Sequence, residues 1–182
     1  MKPVLVGVVS DSHGRFRPLE RMVSQAPDVA AWIHCGDYSD DGDDLAIYTG
    51  VPVYSVRGNN DFMSDAPACR KVTIGGVNII AVHGHQWYGE ARLAKLRQLG
   101  REHEAQLVLF GHTHRRFCQR DDDMTIVNPG SVSLPRDGRV GTYAVCAIAD
   151  GVLTDIQFYE LTKITLLNLL KGMMKWQRKR IN

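Results

Sequence analysis

The residues of this chain that could do chemistry lie in five short clusters, most of which directly follow a hydrophobic run. Their side chains are carboxylates, imidazoles and carboxamides. Carboxylate oxygens and neutral imidazoles suit borderline divalent cations, and the lack of a thiolate set argues against a structural zinc site. The clusters are Asp11-Ser12-His13, Gly36-Asp37, Gly58-Asn59-Asn60-Asp61, His83-Gly84-His85 and Gly111-His112-Thr113-His114.

Such a set suits two ions rather than one. Two divalent ions about 3.5–4 Å apart can hold a bridging hydroxide and stabilise the attacking and leaving oxygens of an in-line displacement at phosphorus. A carboxylate is needed to hold two cations so close, and Asp37 is the candidate. Taken singly, Asp11 could cap a helix and the glycine-containing clusters could be turns. The alternate histidines His112 and His114 seldom serve packing, which favours metal ligation.

The elements that must position these clusters follow from hydrophobic periodicity. Apolar runs predict strands over Val4 to Val9, Val29 to His34 and Val51 to Val56. Helical patterns between them predict two helices, one with Pro18 in its first turn and one capped by Asp43. This β-α-β-α-β order predicts parallel strands with right-handed crossovers. The first three clusters are therefore delivered to one edge of a sheet.

The second half of the chain predicts a second sheet. Gly75-Gly76 separates two strand patterns, Arg70 to Ile74 and Val77 to Val82, and predicts a tight hairpin. Leucines at helical spacing predict a helix that ends at Glu102. From Arg116 onward, alternating patterns separated by turns predict antiparallel strands. Two sheets covered by helices follow most simply.

The composition indicates one compact domain. With 182 residues and 44% hydrophobic content, the chain can bury a sizeable core. Its formal net charge of +2 says little about partners. The four cysteines form no CxxC pair, which favours buried free thiols in a reducing cytosol. No export signal is recognisable, so we expect a cytoplasmic protein.

The ordered motifs D-x-H, G-D, G-N-x-D/E, H and G-H-x-H resemble those of the calcineurin-like metallophosphoesterase superfamily. The resemblance runs from Val4 to about Tyr159, and the segment Asn128-Pro129-Gly130-Ser131-Val132 is similar to the small YfcE-type phosphodiesterase branch. It implies an α/β fold, a four-layer α-β-β-α sandwich with two mixed sheets flanked by helices. The corresponding domain would span residues 1–160.

The resemblance also implies a centre of two divalent ions bridged by Asp37. Mn²⁺ is the expected metal, with Fe²⁺, Ni²⁺, Co²⁺ or Zn²⁺ as alternatives. Asn59 can bind metal through its carboxamide oxygen while its NH₂ group faces a phosphate oxygen, which gives it a catalytic role as well. The first ion would be held by Asp11, His13 and His114, and the second by Asn59, His83 and His112.

One position departs from the family pattern. Many members carry a histidine after the metal-binding asparagine, where it is thought to protonate the leaving alcohol or contact the phosphoryl group, and this chain has Asn60. An amide is no general acid, so good leaving groups should be favoured. His85 is a catalytic candidate that could reach the phosphate or donate a proton, and a solvated or supporting histidine is the alternative. Asp61 could orient a neighbouring group or form a surface turn.

We therefore expect a metal-dependent phosphoric diester hydrolase that acts on a small-molecule or nucleotide-like phosphodiester by in-line attack of a metal-bridging hydroxide. One alternative is a phosphomonoesterase or nucleotide phosphatase, against which Asn60 weighs. Another is a noncatalytic interaction scaffold on the same fold, as in the retromer subunit, against which the complete ligand set weighs. No basic stripe interleaved with aromatic residues runs through the core, so no stable nucleic-acid complex is expected.

The C-terminal segment, residues 161–182, is predicted to be an amphipathic basic helix. Large apolar residues recur at helical spacing between Lys163 and Lys179, with basic residues on the other face. Docking against protein, most simply a second subunit, is favoured and predicts a homo-oligomer. Contact with an anionic membrane surface is the alternative, supported by Trp176.

Overall fold

A computed structural model describes residues 2–162 of the chain. The helices in this part are α1 (Phe16–Gln25), α2 (Asp40–Thr49) and α3 (Gly89–Glu102). The strands are β1 (Val4–Val9), β2 (Ala31–His34), β3 (Val53–Ser55), β4 (Cys69–Ile74), β5 (Val77–Val82), β6 (Leu107–Leu109), β7 (Arg116–Arg120), β8 (Thr125–Pro129), β9 (Thr142–Ala149) and β10 (Val152–Glu160).

These strands form two five-stranded sheets, and both sheets are mixed. Sheet A has the order β10-β9-β1-β2-β3, in which β1, β2 and β3 are parallel and β9 is antiparallel to both neighbours. Sheet B has the order β4-β5-β6-β8-β7, in which β5, β6 and β8 are parallel and the two edge strands are antiparallel. Each sheet therefore presents the carboxyl ends of three parallel strands at one edge.

The apolar side chains divide into three clusters that define four layers. The central cluster, which includes Val8 and Ile79, fills the space between the sheets. A second cluster packs Leu19 of α1 and Leu45 of α2 on the outer face of sheet A. A third packs Leu96 of α3 on the outer face of sheet B. Each fully buried side chain of this size contributes about 1.5–3 kcal/mol. The predicted α-β-β-α sandwich is confirmed.

Two details of the predicted elements are wrong. Helix α2 begins at Asp40 with Ser39 at its N-cap, so Asp43 lies in the first turn and does not cap the helix. The chain enters the helix earlier because the Ser39 backbone N–H is bound by the Asp61 carboxylate at 2.8 Å. The strands after residue 116 are also not all antiparallel. Strand β8 inserts between β6 and β7 and runs parallel to β6, since β7 takes the sheet edge.

The expectation of four buried thiols is correct for only two cysteines. Cys35 and Cys146 are buried, and burial raises the pKa of both thiols, to about 12 for Cys146. Cys69 and Cys118 are free and exposed. They lie on β4 and β7, the edge strands of sheet B, where alternate side chains point to solvent.

The predicted C-terminal helix, and the oligomer or membrane contact assigned to it, fall on residues 163–182 and lie outside the described part. The division into residues 1–160 and 161–182 therefore stays a prediction. Between residues 2 and 162, no helix has the length and apolar content needed to cross a membrane.

Candidate metal centre

The predicted clusters all lie in loops that follow parallel strands. In sheet A, the loop after β1 carries Asp11 and His13, and the loops after β2 and β3 carry Asp37 and Asn59. Because parallel strands end at the same edge of a sheet, distant parts of the chain meet there. Sheet B supplies the rest from the loops after β5 and β6, namely His83, His112 and His114.

Four of these side chains form a tight group that could hold one ion. One ligand atom from each of Asp11, His13, Asp37 and His114 lies within 4.8 Å of all the others. The His114 Nε2 atom is 3.2 Å from His13 Nε2 and 3.2 Å from Asp11 Oδ1. These are the residues expected around the first ion, together with the candidate bridge.

A second group adjoins the first through Asp37. The Asn59 carboxamide oxygen lies 3.2 Å from His83 Nε2 and 3.0 Å from His112 Nδ1. Asp37 Oδ1 is 3.3 Å from His83 Nε2, while its other oxygen, Oδ2, is 3.9 Å from His13 Nε2. The two oxygens of Asp37 thus face different groups, as a bridging carboxylate requires.

Two backbone carbonyls fix which nitrogen of two histidines faces the centre. The Nδ1–H of His83 donates to the Cys35 carbonyl at 2.7 Å, and that of His114 donates to the Leu134 carbonyl at 2.7 Å. Each ring therefore keeps its Nε2 lone pair directed toward the other ligands. The roles of these two carbonyls could not be predicted from the sequence, because every residue has a backbone oxygen whatever its side chain.

The donor set fits a cation. Asp11 Oδ1 is buried and accepts no hydrogen bond within the described chain. The His114 Nε2 lone pair faces this oxygen, since the His114 proton is on Nδ1. Two lone pairs at 3.2 Å repel each other unless a proton or a metal ion lies between them. Oxygen and imidazole donors around a buried negative charge suit a divalent ion.

The protonation states of most of these groups favour metal binding. Burial lowers the pKa of His13, and lowers the pKa of His112 to about 4. Burial acts against charge on Asp11 and His114 as well, but their mutual attraction outweighs it, so the pKa of Asp11 is lowered and that of His114 is raised. Near neutral pH, His13 and His112 are neutral and Asp11 is anionic, as ligation requires, whereas His114 must release the proton that its raised pKa retains before it can bind a metal ion.

The backbone of the centre is strained. Left-handed conformations of non-glycine residues cost roughly 1–3 kcal/mol each, and such strain clusters at functional sites. The surrounding packing must supply this free energy, so the loops are held in place rather than merely connected. Positive φ angles occur at Asp11 (56°), His13 (54°), Asp37 (60°), His112 (67°) and His114 (57°).

Two glycines allow loops from neighbouring strands to approach closely. A Cβ atom on Gly58 would lie 2.1 Å from Asp37 Oδ1. A Cβ atom on Gly36, which has a φ of 93°, would lie 2.8 Å from His83 Nδ1. Both separations are well below van der Waals contact, so these glycines are required by the geometry of the ligands beside them.

The Asp61 carboxylate binds the backbone of two loops, the one after β2 that carries Asp37 and the one after β3. Its carboxylate accepts hydrogen bonds from the backbone N–H groups of Asp37 (3.1 Å), Ser39 (2.8 Å) and Gly58 (2.6 Å). The geometry agrees with the interpretation that Asp61 orients backbone groups rather than forming a surface turn. The loops after β2 and β3 are thereby joined by one side chain.

The loop after β8 supports the first group of ligands from behind. The hydroxyl groups of Ser131 and Ser133 both donate to the Asp11 carbonyl, at 2.8 and 3.0 Å. The Arg136 backbone N–H donates to the His114 carbonyl at 2.8 Å. Ser131 is fully buried, so it supports the loop and is not placed to meet a phosphate.

Comparison with known proteins agrees with this geometry. Residues 4–151 match the model of the calcineurin-like phosphoesterase superfamily domain. The chain belongs to this superfamily. It is 30% identical over 154 residues to the probable metallophosphoesterase YsnB of Bacillus subtilis, covering 84% of this chain and 89% of YsnB. The family is metal-dependent, and the group around Asp11 is a candidate metal-binding cluster in this member.

Two solved structures extend the comparison. A predicted phosphoesterase from Streptococcus pneumoniae shares 30% identity with a TM-score of 0.75, covering 88% of this chain and 91% of that one. Vps29 of Entamoeba histolytica, solved with Zn²⁺, has a TM-score of 0.64 and 20% identity. The match covers 87% of this chain and 100% of the Vps29 chain. The similarity to Vps29 concerns the fold alone.

Two further residues, His85 and Asn60, lie close to these ligands. His85 lies beside it, with its ring centroid 5.5 Å from that of His83 and 6.2 Å from that of His112. The His85 Nδ1 atom is buried and has no hydrogen-bond partner in the described chain. Asn60 donates to both oxygens of Asp37, from Nδ2 to Oδ2 at 2.7 Å and from its backbone N–H to Oδ1 at 3.0 Å.

Proposed function

We propose that this superfamily member is a phosphodiesterase that works with two divalent metal ions. The observation that carries the proposal is the position of Asp37, whose two oxygens face two separate groups of donors. Asp11, His13 and His114 would hold one ion, and Asn59, His83 and His112 the other. Vps29, which shares the fold, has been solved with zinc, in agreement with a metal site on this architecture.

The bound ions would supply a hydroxide nucleophile and stabilise the charge of an in-line displacement at phosphorus. The residues of the chain supply position and charge. Asp11 and Asp37 provide buried negative charge, and the carbonyls of Cys35 and Leu134 keep the histidine nitrogens aimed at the centre. The exposed Asn59 can offer its NH₂ group to a non-bridging oxygen of the substrate.

Phosphodiesters are preferred over monoesters in this proposal because of Asn60. Its amide is engaged by Asp37 and cannot protonate a leaving alcohol. A monoester dianion also brings one more negative charge to the same position. His85 is the remaining candidate for contact with the phosphoryl group or for proton donation, since it adjoins His83 and His112.

The proposed metal, substrate class and cellular compartment follow from the chemistry of the side chains. Mn²⁺ is the first candidate because mixed carboxylate and imidazole sets accept it readily, and the same set also accepts Fe²⁺, Ni²⁺, Co²⁺ or Zn²⁺. The substrate would be a small-molecule or nucleotide-like diester, and the protein would act in the cytoplasm, where its free thiols persist.

We also propose that residues 161–182 join two copies of the chain. Their large apolar residues would form an exposed patch larger than monomers usually tolerate. Truncation after Glu160 should therefore change the mass measured by light scattering and leave diester hydrolysis intact. An unchanged mass would contradict the homo-oligomer, and binding of the intact chain to anionic vesicles would favour a membrane contact.

The central experiment compares Asp37→Ala with the exposed control Asp44→Ala. Each protein is freed of metal and then titrated with Mn²⁺ while the bound metal is counted and turnover of an aryl phosphodiester and its monoester is measured. Asp37→Ala should lose binuclear binding and hydrolysis while the control keeps both. Full activity of Asp37→Ala would exclude the bridge. A wild-type preference for the monoester, or no turnover with any candidate metal, would exclude the phosphodiesterase.

A further inference from the structure

One arginine of helix α3 differs from the other two in its surroundings. Arg97 and Arg101 form ion pairs with Asp121 and Asp123, with N–O distances of 2.7 and 3.3 Å. Arg92, in the first turn of the same helix, takes part in none of the ion pairs found within residues 2–162. A positive charge without a carboxylate partner is available to an anion from outside the chain.

The side chain of Arg92 is held against the loop that carries two site histidines. Its Nε–H donates to the Gly84 carbonyl at 3.1 Å, and Gly84 lies between His83 and His85. A Cβ atom on Gly84 would lie 3.9 Å from Arg92 Cδ, an ordinary van der Waals contact, so the arginine side chain packs along this loop. Arg92 is half-buried, so its side chain is held beside the loop of His83 and His85 and does not extend freely into solvent.

The chemistry of Arg92 suits an anion rather than a metal ion. No ligand position is assigned to Arg92 itself, and an arginine cannot bind a metal ion while it is charged. Its two terminal nitrogens are suited to the paired oxygens of a phosphate group.

We propose that Arg92 makes this centre selective for phosphodiesters that carry a second phosphate group on the same nucleoside as the scissile one. The inference rests on the proposed phosphodiesterase and narrows its substrate class. Asn60 removes the proton donor at the scissile group, whereas Arg92 supplies a fixed cation beside it. A substrate with two phosphates would use the metal-binding residues for one and Arg92 for the other.

The test uses two substrates that differ by a single phosphate, the 4-nitrophenyl ester of thymidine 5′-phosphate and the same ester carrying a 3′-phosphate. The metal-loaded wild-type protein should have a higher kcat/KM for the bisphosphate. Arg92→Gln should reduce that preference by at least about tenfold, the usual worth of a charge-assisted hydrogen bond, while barely changing kcat/KM for the simple ester. Arg92→Lys should keep part of the preference.

Arg101→Gln is the matched control, because it removes one positive charge from the same helix at the far end. It should leave the ratio of the two kcat/KM values unchanged. No wild-type preference, or an equal loss on both substrates in Arg92→Gln, would overturn the proposal, since an equal loss places Arg92 at the scissile phosphate.

Binding separates this proposal from the proposed catalysis. If neither ester is hydrolysed, calorimetry with thymidine 3′,5′-bisphosphate and thymidine 5′-phosphate still measures the subsite on the metal-loaded protein. Tighter binding of the bisphosphate that disappears in Arg92→Gln would support the anion subsite even though hydrolysis had failed. Equal binding of both nucleotides to the wild-type protein would exclude it.

Discussion

Asn60 holds both carboxylate oxygens of Asp37, one through its side-chain amide and one through its backbone N–H. Asn60 stands at the position where the family resemblance predicts a histidine. It donates to Asp37, the carboxylate that is the candidate bridge between two ions. The amide orients Asp37, but it has no proton that it can give to a leaving alkoxide. Substitution at this position should therefore change two properties that can be measured separately.

Asn60→His should lower kcat/KM for aryl diesters and raise the ratio of alkyl to aryl diester turnover. The first effect follows because Asp37 loses its amide donor, and the second because an imidazole can protonate a poor leaving group, an effect typically worth about 10²–10⁴-fold. Rates on paired alkyl and aryl substrates measure the ratio. Asn60→Ala, which lacks both the amide and a proton donor, is the control and should not raise it.

Gly58→Ala should displace Asp37 and weaken metal binding. The added methyl group would lie 2.1 Å from Asp37 Oδ1, so the carboxylate or its loop must move. Gly138→Ala is the control, because a Cβ atom there would meet only Arg116 Nη2, at 3.9 Å. Titration with Mn²⁺ should show at least about tenfold weaker binding in Gly58→Ala alone, in line with losses from misplaced ligand support. Equal affinities would mean that the loop adapts without cost.

Asp137→Asn should weaken metal binding through His114. Asp137 accepts hydrogen bonds from the backbone N–H and the Nε of Arg116, at 2.8 and 2.9 Å, and so anchors the loop whose Leu134 carbonyl orients His114. Mutations of such supporting groups usually cost about 10–100-fold in metal affinity.

Glu160→Gln tests the same arginine without the loop, since the Glu160 carboxylate accepts a hydrogen bond from Arg116 Nη1 at 2.9 Å and lies on β10. Metal titration of both variants should show a loss only for Asp137→Asn. A loss of similar size in Glu160→Gln would mean that the charge of Arg116, and not the loop, is what matters.

The metal-free protein should lose stability as the pH falls below about 6.5. His34 is fully buried, and burial lowers its pKa below the ordinary value of 6.5. The unfolded chain then binds a proton that the folded chain does not, so stability is complete above the unfolded pKa and falls toward the folded one. One such group contributes up to about 1.4 kcal/mol per pH unit.

Denaturation in the presence of a chelator at a series of pH values measures this slope. His34→Gln removes the titrating imidazole. It leaves an amide near Ser12 Oγ and the Gly36 N–H, the two hydrogen-bond partners of the His34 ring. Its stability should be lower at neutral pH but should depend less steeply on acid. An unchanged slope would assign the acid sensitivity to other histidines.

The parts of the fold that depend on local pattern could be predicted from the sequence. The apolar run from Val4 to Val9 and the helical spacing before Glu102 correspond to β1 and α3, and the turn at Gly75-Gly76 joins β4 to β5 as expected. The order of motifs was enough to identify the family. The pairing of β8 with β6 was not predicted, because it depends on contacts between strands that no local pattern records.

The supporting contacts of the centre were also beyond local pattern. The hydrogen bond from Ser131 to Asp11 joins residues 120 positions apart, and the Leu134 carbonyl acts through its backbone alone. The positive φ of His112 could not be predicted from the sequence either. Histidine adopts such angles far less readily than glycine does, so its presence at a position does not indicate one. Residue types indicated which side chains meet, and the fold determined how they are held.

The division of the ligands between the two sheets governs when the centre can form during synthesis. A ribosome releases Asp11, His13 and Asp37 first, with the parallel strands of sheet A, whereas their partner His114 follows three strands of sheet B and the carbonyl of Leu134 follows all five. A nascent chain that ends before residue 134 therefore has no complete pocket for an ion. Any ion held by these residues would therefore bind late in biogenesis, after the two sheets have closed on each other.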